Sequence, residues 1–139
     1  RTGIRLSPMT TFTAPLDSDP QALYGYVVEQ LAPFGLAYLH VIEGETGGTR
    51  APEGKAFDYE ALHRAFPGAW MLNNGYSREL AIDNIAAGKA NLVAFGRPFI
   101  STPDLVRRLK DNLPLNELQA DKLYGGGAEG YTDYPALAA

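Results

Sequence analysis

The chain has 139 residues, 45% hydrophobic and 20% charged, the make-up of one ordinary globular domain. Twelve basic against sixteen acidic side chains leave a net charge of -4, with no basic footprint for nucleic acid and no like-charged tail. There is no cysteine, and the two histidines, His40 and His63, stand at no metal-ligand spacing, so neither a disulfide frame nor a metal centre is expected.

The longest apolar runs fall far short of a membrane span and no signal-peptide pattern opens the chain, so a cytoplasmic protein away from membranes is expected. RTGIRLSP reads as a strand already under way, as in a processed protein, a trimmed one or a piece of a longer chain.

GIRLSP (3–8) predicts a short strand, followed by a loop rich in Thr, Pro and Asp. Asp19-Pro20 is a strong helix start, a side-chain acceptor at the cap and a preset φ in the first turn. Leu23, Tyr24, Val27, Val28 and Leu31 would share one face of that helix, and Pro33 and Gly35 would stop it. GLAYLHVIE (35–43) predicts a continuous apolar strand, and the glycine-rich 44–56 loop has the character of a lid. DYEALHRAF (58–66) predicts a helix capped by Asp58, and AWMLNN (69–74) a strand ended by Gly75. Ser77 would cap a helix reaching about Ala87, with Gly88 as terminator. NLVAFG (91–96) is the fourth predicted strand, and Thr102-Pro103 would start a last helix with Leu105, Val106 and Leu109 inward. Apolar strands alternating with amphipathic helices predict a parallel sheet covered by helices. The tail LYGGGAEGYTDYPALAA fits neither pattern.

Gly75 and the pair Gly96-Arg97 follow consecutive strands and precede helices, so their loops are expected to be neighbours. Helix starts offer free N–H groups, glycine allows close backbone approach, and arginine is a planar bidentate donor; together they suit phosphate. In a (β/α)8 barrel the loops after the last strands form the usual phosphate site. The competing reading is a plain turn and a surface ion pair. Arg5 alternates away from Ile4 and Leu6, toward a barrel interior or mouth. There it would meet an electron-rich ligand edge or pair with a strand-end acid such as Glu43. Asn73 and Asn74 could donate to a ligand or serve the turn, and Tyr124 could stack on a ligand or plug the surface. For His40 and His63 a hydrogen-bonded structural role is the expectation.

GIRLSP, GLAYLHVIE, NNGYSRE, LVAFGRPFISTPDL, PLN and LYGGGAEGYTDYP, in this order and spacing, resemble the C-terminal part of the old yellow enzyme family, with bacterial N-ethylmaleimide and xenobiotic reductases nearest. The resemblance spans essentially all 139 residues. It implies an α/β fold, the C-terminal portion of a TIM (β/α)8 barrel over residues 1–139, with the N-terminal part elsewhere. It implies non-covalent FMN and reduction of activated C=C bonds (enones, maleimides, nitroalkenes), NADPH or NADH supplying hydride through the flavin. By the same resemblance Arg5 lies at the flavin pyrimidine edge. The positions of Asn74, Gly75, Gly96 and Arg97 correspond to the surroundings of the cofactor phosphate, Asn73 counts among the cofactor-binding positions, and Tyr124 borders the substrate. Leu123 stands where several relatives have phenylalanine, and Asn73 and Asn74 where many have glycine or alanine. The family's substrate-anchoring pair and proton-donating tyrosine have no match here, so no catalytic residue is expected in this chain. The expected partner is the N-terminal half of the barrel, without which two sheet edges would stay unpaired and the chain would be unstable or inactive. The alternatives are a non-catalytic module binding phosphate or a nucleotide, and a structural complementing fragment. A free-standing flavodoxin-like domain would leave the tail unexplained.

Overall fold

In a computed structural model of the protein, residues 1–12, 15–46, 50, 56–124 and 126–138 are described. They form two compact units, Arg1–Ala94 and Phe95–Ala139. Most of the 44–56 loop read as a lid lies outside the described residues.

Among the described residues the first unit is a four-stranded sheet with three α-helices and a short 3-10 turn, Ala32–Phe34. Strands β1 (Ile4–Leu6), β2 (Tyr38–Ile42), β3 (Ala69–Asn73) and β4 (Leu92–Ala94) lie side by side in chain order, all parallel. Helices α1 (Pro20–Leu31), α2 (Tyr59–Ala65) and α3 (Arg78–Ala86) connect them. Each start is the one its sequence asks for: Asp19, Asp58 and Ser77 accept from the N–H groups of Ala22, Ala61 and Leu80. Stops follow the glycines, with Gly35 at φ 63° and Gly88 at φ 70°.

Alternation along the strands sorts the two faces of the sheet. Leu39, Val41, Trp70 and Leu72 are all buried, and Trp70 stacks on His63 of α2 at 5.2 Å between ring centres. That is the helix-covered face. Its opposite carries Arg5, His40, Met71 and Leu92 in one paired row. The helices bury less than their periodicity predicts. Val28 is the buried residue of α1, while Leu23 is exposed, as are Ile82 and Ile85 on α3.

In the second unit, Thr102 does not start the last helix. It closes a five-residue helix, α4 (Arg97–Ser101), and α5 (Leu105–Asp111) starts after Asp104. The Thr102 hydroxyl is spent elsewhere, accepting from the Asn116 N–H at 3.2 Å. Leu105 is fully buried as expected, but Val106 is 70% exposed and Arg108 takes the inward position. The tail is held by turns and a short 3-10 segment, Ala120–Lys122, rather than by helix or strand.

Candidate functional site

The C-terminal ends of the strands gather most of the chemistry, the edge where parallel α/β sheets bind ligands. At the end of β3, Asn74 takes φ 123° and Gly75 φ 63°. A positive φ at a non-glycine residue costs about 1–3 kcal/mol and persists only where neighbours enforce it. Here the Asn74 side chain is the enforcer: Nδ2 donates to the backbone carbonyls of Glu43 (2.6 Å) and Glu45 (2.9 Å). Asn73 Nδ2 donates to the Ala94 carbonyl at 2.6 Å. Both amide nitrogens are thus engaged within the first unit, and what the turn offers a ligand is chiefly backbone. Gly75 is exposed, and a Cβ built on it would meet nothing within 4 Å.

Beside the turn, Tyr76 is 7% exposed, its hydroxyl donating to Glu43 Oε2 at 2.5 Å and accepting from Asn84 Nδ2 at 3.0 Å. Burial, then the carboxylate, pushes this phenol far above its ordinary range, so it stays a donor. The Arg50 guanidinium covers the ring, 5.0 Å from its centre. Sequence reasoning passed over this group. Glu43 was weighed only as a partner for Arg5, and nothing in NNGYSRE announces an acceptor 33 residues earlier in the chain.

Arg5 sits where strand alternation puts it, exposed on the open face beside His40. The proposed Glu43 ion pair does not form: the Glu43 carboxylate accepts from Tyr76, and Arg5 makes no ion pair among the described residues. A groove of about 720 Å³ at this end is lined by Arg5, Ser7, Thr10, Phe12, Tyr24 and Ile42, among others. His40 is not the satisfied histidine expected: its Nε2 is buried without a hydrogen-bond partner among the described residues. Burial, then the nearby Arg5 charge, lowers its pKa. His63 keeps a structural place, stacked on Trp70.

In the second unit, Gly96 precedes α4 and Arg97 is its first residue. The Arg97 side chain is exposed with no ion pair among the described residues, so the surface-pair reading is not realised there. A Cβ on Gly96 would also meet open space. Tyr124 is 92% exposed and plugs nothing. Among the described residues no group of three acidic, histidine or cysteine side chains could hold a metal ion, and no helix is long and apolar enough to cross a membrane.

Comparison with known proteins gives the context for this edge. Residues 1–116 match the profile of the NADH:flavin oxidoreductase / NADH oxidase family. The chain is 36% identical over 138 residues to 12-oxophytodienoate reductase 2 of Arabidopsis thaliana, covering 99% of itself and 37% of that protein. It is 39% identical over 139 residues to 12-oxophytodienoate reductase 1 of Oryza sativa subsp. japonica, with 99% and 37% coverage. Among solved structures, the old yellow enzyme of Trypanosoma cruzi superposes with a TM-score of 0.88 at 34% identity, over 98% of this chain and 35% of that one. Morphinone reductase, solved in complex with tetrahydroNAD, gives 0.84 at 37% identity, with 98% and 36% coverage. The chain therefore spans little more than a third of the length of these relatives, and its parallel sheet with flanking helices is a portion of their (β/α)8 barrel. Sheet, turns and sequence agree on one conclusion: this chain belongs to the old yellow enzyme family of flavin oxidoreductases.

Proposed function

We propose that this chain supplies the C-terminal strands of an FMN-dependent ene-reductase, together with donors for the cofactor's phosphate. The observation that carries the reading is the end of β3, where a non-glycine residue is held at positive φ beside an exposed, unobstructed glycine. Strain of that kind, at the ligand-binding edge of a parallel sheet, marks a functional turn.

The residues present fit FMN. In the first unit Gly75 leaves room for an anion to approach the backbone; in the second, Gly96 does the same and Arg97 brings an uncommitted bidentate donor. Asn73 and Asn74 support that turn through their side-chain hydrogen bonds. Arg5, on the open face of β1, presents a cation to an electron-rich ring edge. Tyr124 borders the substrate. The hydride chemistry, from NADPH or NADH to the β-carbon of an activated alkene, is what the cofactor supplies when bound. This chain's residues bind the phosphate, orient the ring and set the local charge. The substrate-gripping and proton-donating residues belong to the N-terminal part of the barrel, the partner this reading requires, in a cytoplasmic enzyme.

The test is native mass together with visible absorbance, with and without the remaining strands. The expected result is an assembly with a flavin band near roughly 450–460 nm, a property of the bound cofactor. In it, Arg97→Ala should weaken FMN binding about 10- to 100-fold, the worth of one charge-assisted contact. A colourless, flavin-free assembly would instead favour a purely structural complementing fragment.

A further inference from the structure

Buried Tyr76 and half-buried Glu43 form a hydrogen-bonded pair at the strand ends that the proposed function leaves unused. Their position is informative. Tyr76 directly follows the Asn74–Gly75 turn, and Glu43 is the residue whose backbone carbonyl accepts from Asn74 Nδ2. The Glu43 side chain accepts from the Tyr76 hydroxyl, so one residue at the end of β2 grips the turn on both sides. Asn84, from α3, donates to the same hydroxyl, and Arg50 lies over the ring. The hydroxyl therefore joins the end of β2, the β3–α3 turn and the body of α3.

We infer that the Glu43–Tyr76 pair is a positioning device that holds the Asn74–Gly75 turn in its phosphate-accepting shape and so sets preference for phosphorylated over unphosphorylated flavin. The inference rests on the proposed phosphate site. Physically, the turn's two consecutive positive-φ residues would relax if their neighbours allowed it. Asn74 alone fixes the N-terminal side of Gly75; Tyr76 fixes the other. Without the hydroxyl, Glu43 and Asn84 each lose a partner, and the peptide groups flanking Gly75 are free to rotate away from a shape set for an anion. The ring portion of the flavin touches none of these groups in this reading, so its contribution to affinity stays.

That separation supplies the experiment. The flavoprotein with its barrel complete is stripped of cofactor, and dissociation constants for FMN and for riboflavin, which lacks the phosphate, are measured by fluorescence quenching. The wild type should prefer FMN. Tyr76→Phe should cut that preference about tenfold, from loss of a hydrogen bond to a charged group, while riboflavin affinity holds. Glu43→Gln, which keeps an acceptor for the hydroxyl, should retain most of the preference. Unchanged preference in Tyr76→Phe, or equal loss of both flavins, overturns the positioning role and leaves the phosphate site standing. Equal wild-type affinities for FMN and riboflavin overturn the phosphate site itself and this inference with it.

Discussion

His40 shows how one ring nitrogen can make a strand sensitive to pH. Its Nε2 is buried without a partner among the described residues, with Arg5 paired beside it in the sheet. Burial, then the Arg5 charge, keeps the folded-state pKa below 6.5. The folded protein keeps His40 neutral while the unfolded chain takes a proton as pH falls through 6.5. Stability should therefore be level above neutrality and decline from about pH 6.5 downward, seen as a falling Tm. His63, lowered chiefly by burial, acts in the same direction, so His40→Leu should remove only part of the slope. A Tm equally steep in His40→Leu would clear His40 of the effect. At the turn, Asn74→Ala should cost about 2–4 kcal/mol, from two orphaned carbonyls plus a positive φ forced on alanine. Asn74→Gly should cost less, and denaturant melts of the two variants separate the strain from the hydrogen bonds. Of these residues the sequence announced Gly75 and the alternation of Arg5, because both follow from local geometry. It could not announce that Glu43 would meet Tyr76, a partner brought to it only by the sheet.

Among the elements, α5 has the least expected core. Arg108 is 4% exposed, pairing with Asp104 at 2.8 Å and donating to the carbonyls of Pro114 and Pro135 and to Asn116 Oδ1. A buried guanidinium is tolerated because its donors find acceptors, and here those come from Asp104, from Pro114 and Asn116 just after α5, and from Pro135 of the tail. Arg108→Ala should cost about 1–3 kcal/mol, from the acceptors left without a donor. It should also release residues 135–138, read as faster hydrogen exchange and proteolysis there. Burial works against charge on Asp104, but the Leu137 N–H and Arg108 together hold its carboxyl below the usual range. That part of the stability is present above about pH 4 and is lost as pH falls through the lowered value. Periodicity read Val106 as inward because an aliphatic residue outranks arginine in any apolar pattern, and the acceptors gathered around Arg108 invert that ranking. Helix α4 was unreadable for another reason: five residues, two of them Arg97-Pro98, present no helical period at all. The capped helices α1, α2 and α3 were legible because each start is written in two or three adjacent residues.

Across the whole molecule, strand order follows chain order, so β1 and β4 are the edges of the described sheet. Their relatives' barrels are nearly three times as long, and a closed barrel has no edges. This chain by itself should self-associate as its concentration rises, measured by sedimentation velocity, and the remaining strands should suppress that. A stable monomer across the concentration range would count against the edges being sticky. Fold class was readable throughout, because a βα repeat writes itself into composition and period. The turn at the end of β3, proposed as a phosphate site, was readable only in part, because its supports come from three strands at once.

The alternation of β2 and β3 has a practical corollary. Leu39, Val41, Trp70 and Leu72 hold the helices, while Arg5, His40 and Met71 look the other way. In the proposed flavoprotein, stability and chemistry would be written on alternate letters of the same short words. A mutational library confined to the second set should then alter colour, redox behaviour and ligand choice while leaving the melting temperature of most members above neutral pH nearly untouched, and the first set should do the reverse.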